Sequence, residues 1–209
     1  MTPLVLDINL INPAFHKKDF SHFINLESIK FLHITGWRDY LLTLQIHSAK
    51  VPSCYADAYH VALRIMLLAW ADASLIKPAE LQTLRSLESA LIGVYFQPVF
   101  EREQAKREKV RKKCDGCKKC LLCATLVREK FQPGLDKFLD YMVAHDDLDP
   151  AVHNESKKTD RSALSIIRNA LAHDDLFNHL SWDGLFEAVR EVMEHAYRNR
   201  SLTQTRTIL

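Results

Sequence analysis

The chain has 209 residues, a net charge of +2, 47% hydrophobic and 26% charged residues, the profile of a soluble globular protein with one sizeable core. Its 5 glycines and 7 prolines supply few turn signals, which speaks against an all-β fold and for a handful of long helices. Charge so near balance does not by itself mark a nucleic-acid binder, and the longest apolar stretch, Val61 to Ala73, is cut by Arg64 and Asp72 and is too short to span a bilayer.

No basic-then-apolar leader opens the sequence, so secretion is not expected. The cysteines do not form a secreted disulfide framework, and a reducing cytoplasm is the expected compartment.

Residues 1–50 read as an arm or as accessory helices. Leu4 to Leu10 is expected to be a short extended piece, because Val5 and Ile8 alternate with polar partners. Trp37 to His47 is expected to be helical, with Trp37, Tyr40, Leu41 and Leu44 in one stripe.

Residues 51–200 read as the main helical domain. Pro52 can open a helix, and Tyr55, Tyr59, Ala62, Leu63, Met66 and Trp70 recur at helical spacing to about Leu75. Cys54 is expected in the core of this helix. Lys77-Pro78 is a break, and Pro78 starts a second helix through Leu81, Leu84, Leu87 and Leu91. Pro98 is expected to kink or interrupt it before a charged run resumes it from Glu101.

Residues 101–125 form a Cys-rich insert. From Glu101 to Lys119 there are nine Lys or Arg against four acids, which is either a solvated face or an RNA contact. A third helix follows Pro133 through Leu135, Phe138, Leu139 and Met142, and the polar stretch from His145 to Lys158 reads as a loop. Asp160 can cap a fourth helix, with Ala163, Leu164, Ile167, Ala170 and Leu171 inward. Ser181 can cap a fifth through Leu185, Val189, Val192 and Tyr197, and residues 201–209 are a polar tail. The expected fold is all-α: an antiparallel bundle of four to five helices with an N-terminal arm and the Cys-rich insert. Trp37, Trp70 and Trp182 are expected in its core, and His145, His153 and His179 on its surface.

Two constellations carry chemistry. In the fourth helix, Arg168-Asn169-Ala170-Leu171-Ala172-His173 puts Asn169 and His173 about 40° apart on one face, within reach of the long Arg168 side chain. An imidazole near neutral pKa can accept a proton from a ribose 2′-hydroxyl or donate one to a leaving 5′-oxygen. A guanidinium can offer two donors to phosphate oxygens. One copy supplies a single acid–base group, and two copies across a twofold axis supply both. An Arg and a His near a helix end also serve simply as carbonyl caps.

The second constellation is Cys114, Cys117, Cys120 and Cys123, at a constant spacing of three. Each Cys-x-x-Cys pair can chelate a soft metal, and Asp115-Gly116 favours the turn of a zinc knuckle. The two pairs lie closer together than paired knuckles usually do. The run also has the Cys-x2-Cys-x2-Cys spacing of iron–sulfur proteins. Structural zinc, an iron–sulfur cluster and redox-active thiols therefore all stay open, as a structural clip, a redox sensor or an RNA grip.

The Arg168-Asn169-x3-His173 pattern, set late in an all-helical chain, resembles the HEPN superfamily over roughly residues 51–200. That resemblance implies a helical bundle that dimerises with two motifs in one cleft. It implies a metal-independent ribonuclease of toxin–antitoxin, phage-defence or RNA-processing type, with Arg168, Asn169 and His173 at the motif positions. A cognate antitoxin protein is an implied partner, and an inactive RNA-, nucleotide- or protein-binding module is the alternative. Lys157, Lys158 and Arg161, just before the motif, are candidate contacts to the RNA backbone.

Overall fold

The structure, a computed structural model, describes residues 6–11, 13, 33–47, 49–113, 133–150, 163–173 and 183–199. Among these residues the chain is α-helical, with no β-strand. The helices are α1 (Ile34–Thr43), α2 (Ser53–Leu68), α3 (Ile76–Lys113), α4 (Leu135–His145), α5 (Ala163–His173) and α6 (Leu185–Tyr197). No helix among the described residues is long and apolar enough to cross a membrane.

α3 is the axis of the molecule. It touches α2, α4, α5 and α6, while α1 packs on α2 and α4 on α5. At 38 residues it is about 57 Å long. Its first two-thirds bury Leu84, Leu87, Ala90, Leu91, Val94, Tyr95 and Val99, and from Glu101 to Lys109 its side chains are largely exposed. α2 runs antiparallel to it: Gln82 donates to the Ala58 carbonyl at 3.2 Å, and the later Gly93 lies against the earlier Tyr55.

The core takes one face from each helix. Leu135, Phe138, Leu139 and Met142 of α4 are buried, as are Leu185, Phe186, Val189, Val192, Met193 and Tyr197 of α6. Trp37 of α1 is fully buried, and its indole N–H donates to the Met66 carbonyl at 3.2 Å. The Tyr59 hydroxyl on α2 is shared between the carbonyls of Leu44 and Phe186, each at 3.1 Å, and so ties three segments at one point.

Several expectations are corrected. The Leu4–Leu10 segment is not extended where described: Ile8–Leu10 is a 3-10 turn, because the Asp7 carboxylate accepts the Asn9 N–H at 2.9 Å. α2 stops at Leu68 instead of Leu75. The Asp72 side chain accepts the Ser74 N–H at 2.9 Å and winds Ala73–Leu75 into a separate 3-10 turn. α3 then starts at Ile76, before Pro78, which sits in the first turn where a missing N–H removes no helical bond.

Pro98 does not interrupt α3, which continues to Lys113. An interior proline costs about 3 kcal/mol, and burial of Val94, Tyr95 and Val99 on either side offsets that. Cys54 is exposed, not a core residue, because the first turn of α2 turns that position outward. α6 is capped by Gly184 and not by Ser181; Gly184 takes φ +75°, a conformation open to glycine without strain. Asp160, Ser181, Trp182, His153 and His179 lie outside the described residues.

Candidate functional site

The candidate site is carried by α5. Leu164 and Leu171 are buried, and Ile167 packs against the core from its edge. The helix is tied to α4 by the buried Ser165, whose hydroxyl donates to Asp136 Oδ1 at 2.9 Å. With that face turned inward, Ile166 is left 37% exposed, and Arg168 and Asn169 are partly exposed.

Arg168 and Asn169 come together, with Arg168 Nη1 donating to Asn169 Oδ1 at 3.3 Å. The other arm of the guanidinium, Nη2, donates to Glu88 Oε2 on α3 at 3.2 Å. This pair is not fully desolvated, the side chains being 34% and 22% exposed. Its effect is therefore to aim the guanidinium more than to stabilise the fold. His173 is the last residue of α5. The helical register puts it one turn beyond Asn169, about 40° round the axis; its side chain lies outside the described residues.

Glu88 is the residue of the candidate site that sequence reasoning missed. It stands 80 positions from Arg168, and nothing in its own neighbourhood distinguishes it from any other acid on a helix. Ile92 and Phe96 continue its row along α3 at steps of four and are 44% and 38% exposed. Phe96 also stacks on Phe100 at 5.6 Å. An exposed apolar strip thus runs on from the acid that holds Arg168.

Chemically, the outer face of α5 offers a guanidinium and an amide beside an apolar rim. The guanidinium can exchange its carboxylate partner for a phosphate, which has the same two-acceptor geometry. Lys157, Lys158 and Arg161, the candidate backbone contacts, and Cys114, Cys117, Cys120 and Cys123, the candidate metal ligands, lie outside the described residues. Among the described residues no group of three or more His, Cys, Asp or Glu could hold a metal ion. Comparison of the chain with protein-family models, curated proteins and solved structures returns no match.

Proposed function

We propose that the chain is a metal-independent endoribonuclease of HEPN type, a toxin or phage-defence effector that works in the cytoplasm as a homodimer. The observation that carries this reading is the aim of Arg168: partly exposed and bonded to its neighbour Asn169, which stands one helical turn before His173.

In the proposed reaction a ribose 2′-oxygen attacks the adjacent phosphorus while one His173 takes its proton. The P–O5′ bond breaks, and the His173 of the second copy protonates the leaving 5′-oxygen. The products are a 2′,3′-cyclic phosphate and a 5′-hydroxyl. Arg168 offsets the charge that builds on the non-bridging oxygens, and Asn169 holds its guanidinium in line. A second copy is proposed because the motif supplies one imidazole per copy. The exposed Ile92, Phe96 and Ile166 are the kind of surface such a pairing would cover. Cleavage needs no cofactor in this reading. The cysteine run is assigned a structural zinc, or in its place an iron–sulfur cluster, and a cognate antitoxin protein is the expected inhibitor.

The test is incubation of wild type and His173→Ala with total RNA in chelator, followed by mapping of the new ends. Cyclic phosphate ends made by the wild type alone support the reading. Equal cutting of DNA, or of a strand 2′-deoxy at the cut site, sinks the mechanism.

A non-catalytic module that binds RNA, nucleotide or a protein partner is the second reading. The Glu88–Arg168 pair favours its protein-binding form, since a guanidinium already paired with a carboxylate is less available to a phosphate. RNA decay unaffected by His173→Ala would decide for it.

A further inference from the structure

One cleft, of about 220 Å³, lies apart from the motif where α3 and α4 meet the end of α6. Its walls include Tyr95, Pro98, Tyr141, His145, Asp146 and Arg198. Tyr141 stands 5.8 Å from Tyr95 and 4.7 Å from His145, ring centre to ring centre. These rings are tilted by 50° and 48° and touch one another, so with Pro98 they form an aromatic wall on which one face of a planar group can stack.

The acid inside the cleft is already neutralised. Arg198 Nη2 donates to the Asp146 carbonyl at 2.7 Å and to Oδ1 at 2.9 Å, and the Tyr95 hydroxyl donates to Oδ2. His195 Nε2 also reaches the Asp146 carbonyl, at 2.7 Å. The lip is different. There Arg102 Nη1 donates to His145 Nε2 at 2.5 Å, and both residues are exposed. A guanidinium whose partner is a ring nitrogen and not a carboxylate gains more from an anion, because the new bond is charge-assisted at both ends.

The cleft also has a direction. Glu88, Tyr95 and Arg102 are spaced by seven on α3, so they stand nearly in line, about 10.5 Å per step. That line leads from the partner of Arg168, past the aromatic wall, to the lip. Beyond the lip it continues through the exposed Lys106 and Lys109. Lys106 holds Glu103 at 2.5 Å, while Glu101 and Glu108 stand about 100–120° round the helix from Arg102. An aromatic wall followed by cations at helical spacing is the arrangement that single strands require: a stacking platform plus a charged track.

We propose that this cleft seats one unpaired base of a single-stranded RNA, with Arg102 releasing His145 to take the adjacent phosphate. Lys106 and Lys109 take the phosphates that follow, and the strand runs along α3 toward Arg168. The identity of the strand rests on the ribonuclease reading; the site itself does not. A duplex cannot offer a base to the aromatic wall, and a free nucleotide leaves the lysines unused.

The probe is a labelled 2′-O-methyl oligoribonucleotide of about twelve nucleotides, which resists cleavage, titrated with the full chain in fluorescence anisotropy. Tyr141→Ala is expected to bind about tenfold more weakly. Arg102→Gln, which alters an exposed side chain and leaves the core intact, should also bind more weakly and flatten the salt dependence by about 0.7 in log–log slope. Wild-type binding by Arg102→Gln overturns the proposal, as does equal affinity for a duplex or full displacement by an equimolar mononucleotide. If the cleft variants bind like wild type while RNA is still cut, the cleft falls and the ribonuclease stands. If they lose binding while the wild type cuts nothing, the cleft stands and the ribonuclease falls.

Discussion

Arg168 and Glu88, 80 residues apart in the chain, meet at 3.2 Å across the contact between α5 and α3. This one pair fixes where the charged end of the motif points. It also competes with any phosphate that would bind there. Glu88→Gln keeps the shape of the contact and removes the competing charge. We expect tighter RNA binding by a factor under about five, the scale of a partly exposed ion pair, and a melting temperature within about 2–4 °C of wild type. Weaker binding in filter or anisotropy titrations would show that Glu88 positions Arg168 instead of competing for it.

Arg168→Ala should lower cleavage by about 10²- to 10³-fold, as for loss of one preorganised donor to a developing oxyanion. Arg168→Lys should not restore it, since an ammonium cannot bridge Asn169, Glu88 and phosphate in one plane. Rates with a defined RNA substrate, alongside circular dichroism to confirm the fold, separate loss of chemistry from loss of structure.

At the start of α3, Lys77 and Glu80 form an ion pair at 3.0 Å with side chains 2% and 1% exposed. Removing one partner takes the counter-charge at 3.0 Å away from the other in the interior. Lys77→Met alone should therefore cost about 3–5 kcal/mol, and adding Glu80→Leu should recover much of that loss. Urea denaturation of the two single variants and the double variant measures the coupling. Additive losses would mean that the pair is not what makes the single change costly.

His60 is buried in α2, and its Nε2 accepts the Ile46 N–H at 3.2 Å. Burial pushes its pKa below 6.5; Arg64 and His47 add to the depression, and Asp57 opposes it. Well above pH 6.5 the imidazole is neutral in both folded and unfolded chains and contributes no pH dependence. As pH falls below 6.5 the unfolded chain takes up the proton first, so stability drops until the lower, folded pKa is passed. Denaturation midpoints between pH 7 and pH 5 should show this decline, and His60→Gln should flatten it. A variant with an unchanged slope would assign the decline to other groups.

Gly93 faces Tyr55 so closely that a methyl group there would overlap its hydroxyl and reach Cε2 at 3.1 Å. Alanine normally improves a helix interior by about 1 kcal/mol over glycine. Here Gly93→Ala must displace Tyr55 from its contact with Tyr197, 6.0 Å away, and a net loss of about 1–3 kcal/mol is expected. Tyr55→Phe, which removes the overlapping oxygen, should recover part of it in the double variant.

The helical character of α1, α2, α4, α5 and α6 was legible because each sets apolar residues at the 3.6-residue period, and burial followed that pattern at Trp37, Phe138, Leu171 and Val192. Boundaries were less legible. Asp72, Gly184 and Asp7 act through single side-chain or backbone bonds that a periodic pattern does not register. Pro98 misled because the local cost of a proline is visible in sequence and the packing that offsets it is not. The sequence alone put Arg168, Asn169 and His173 within one stretch of helix, since their spacing is a local property of the chain. Only the tertiary structure decided that Arg168 is held by Glu88, that Tyr95 and Tyr141 line one cleft, and that Arg102 meets His145 at its lip. Those meetings depend on how the helices cross, which the summed burial of dozens of side chains sets and no short motif encodes.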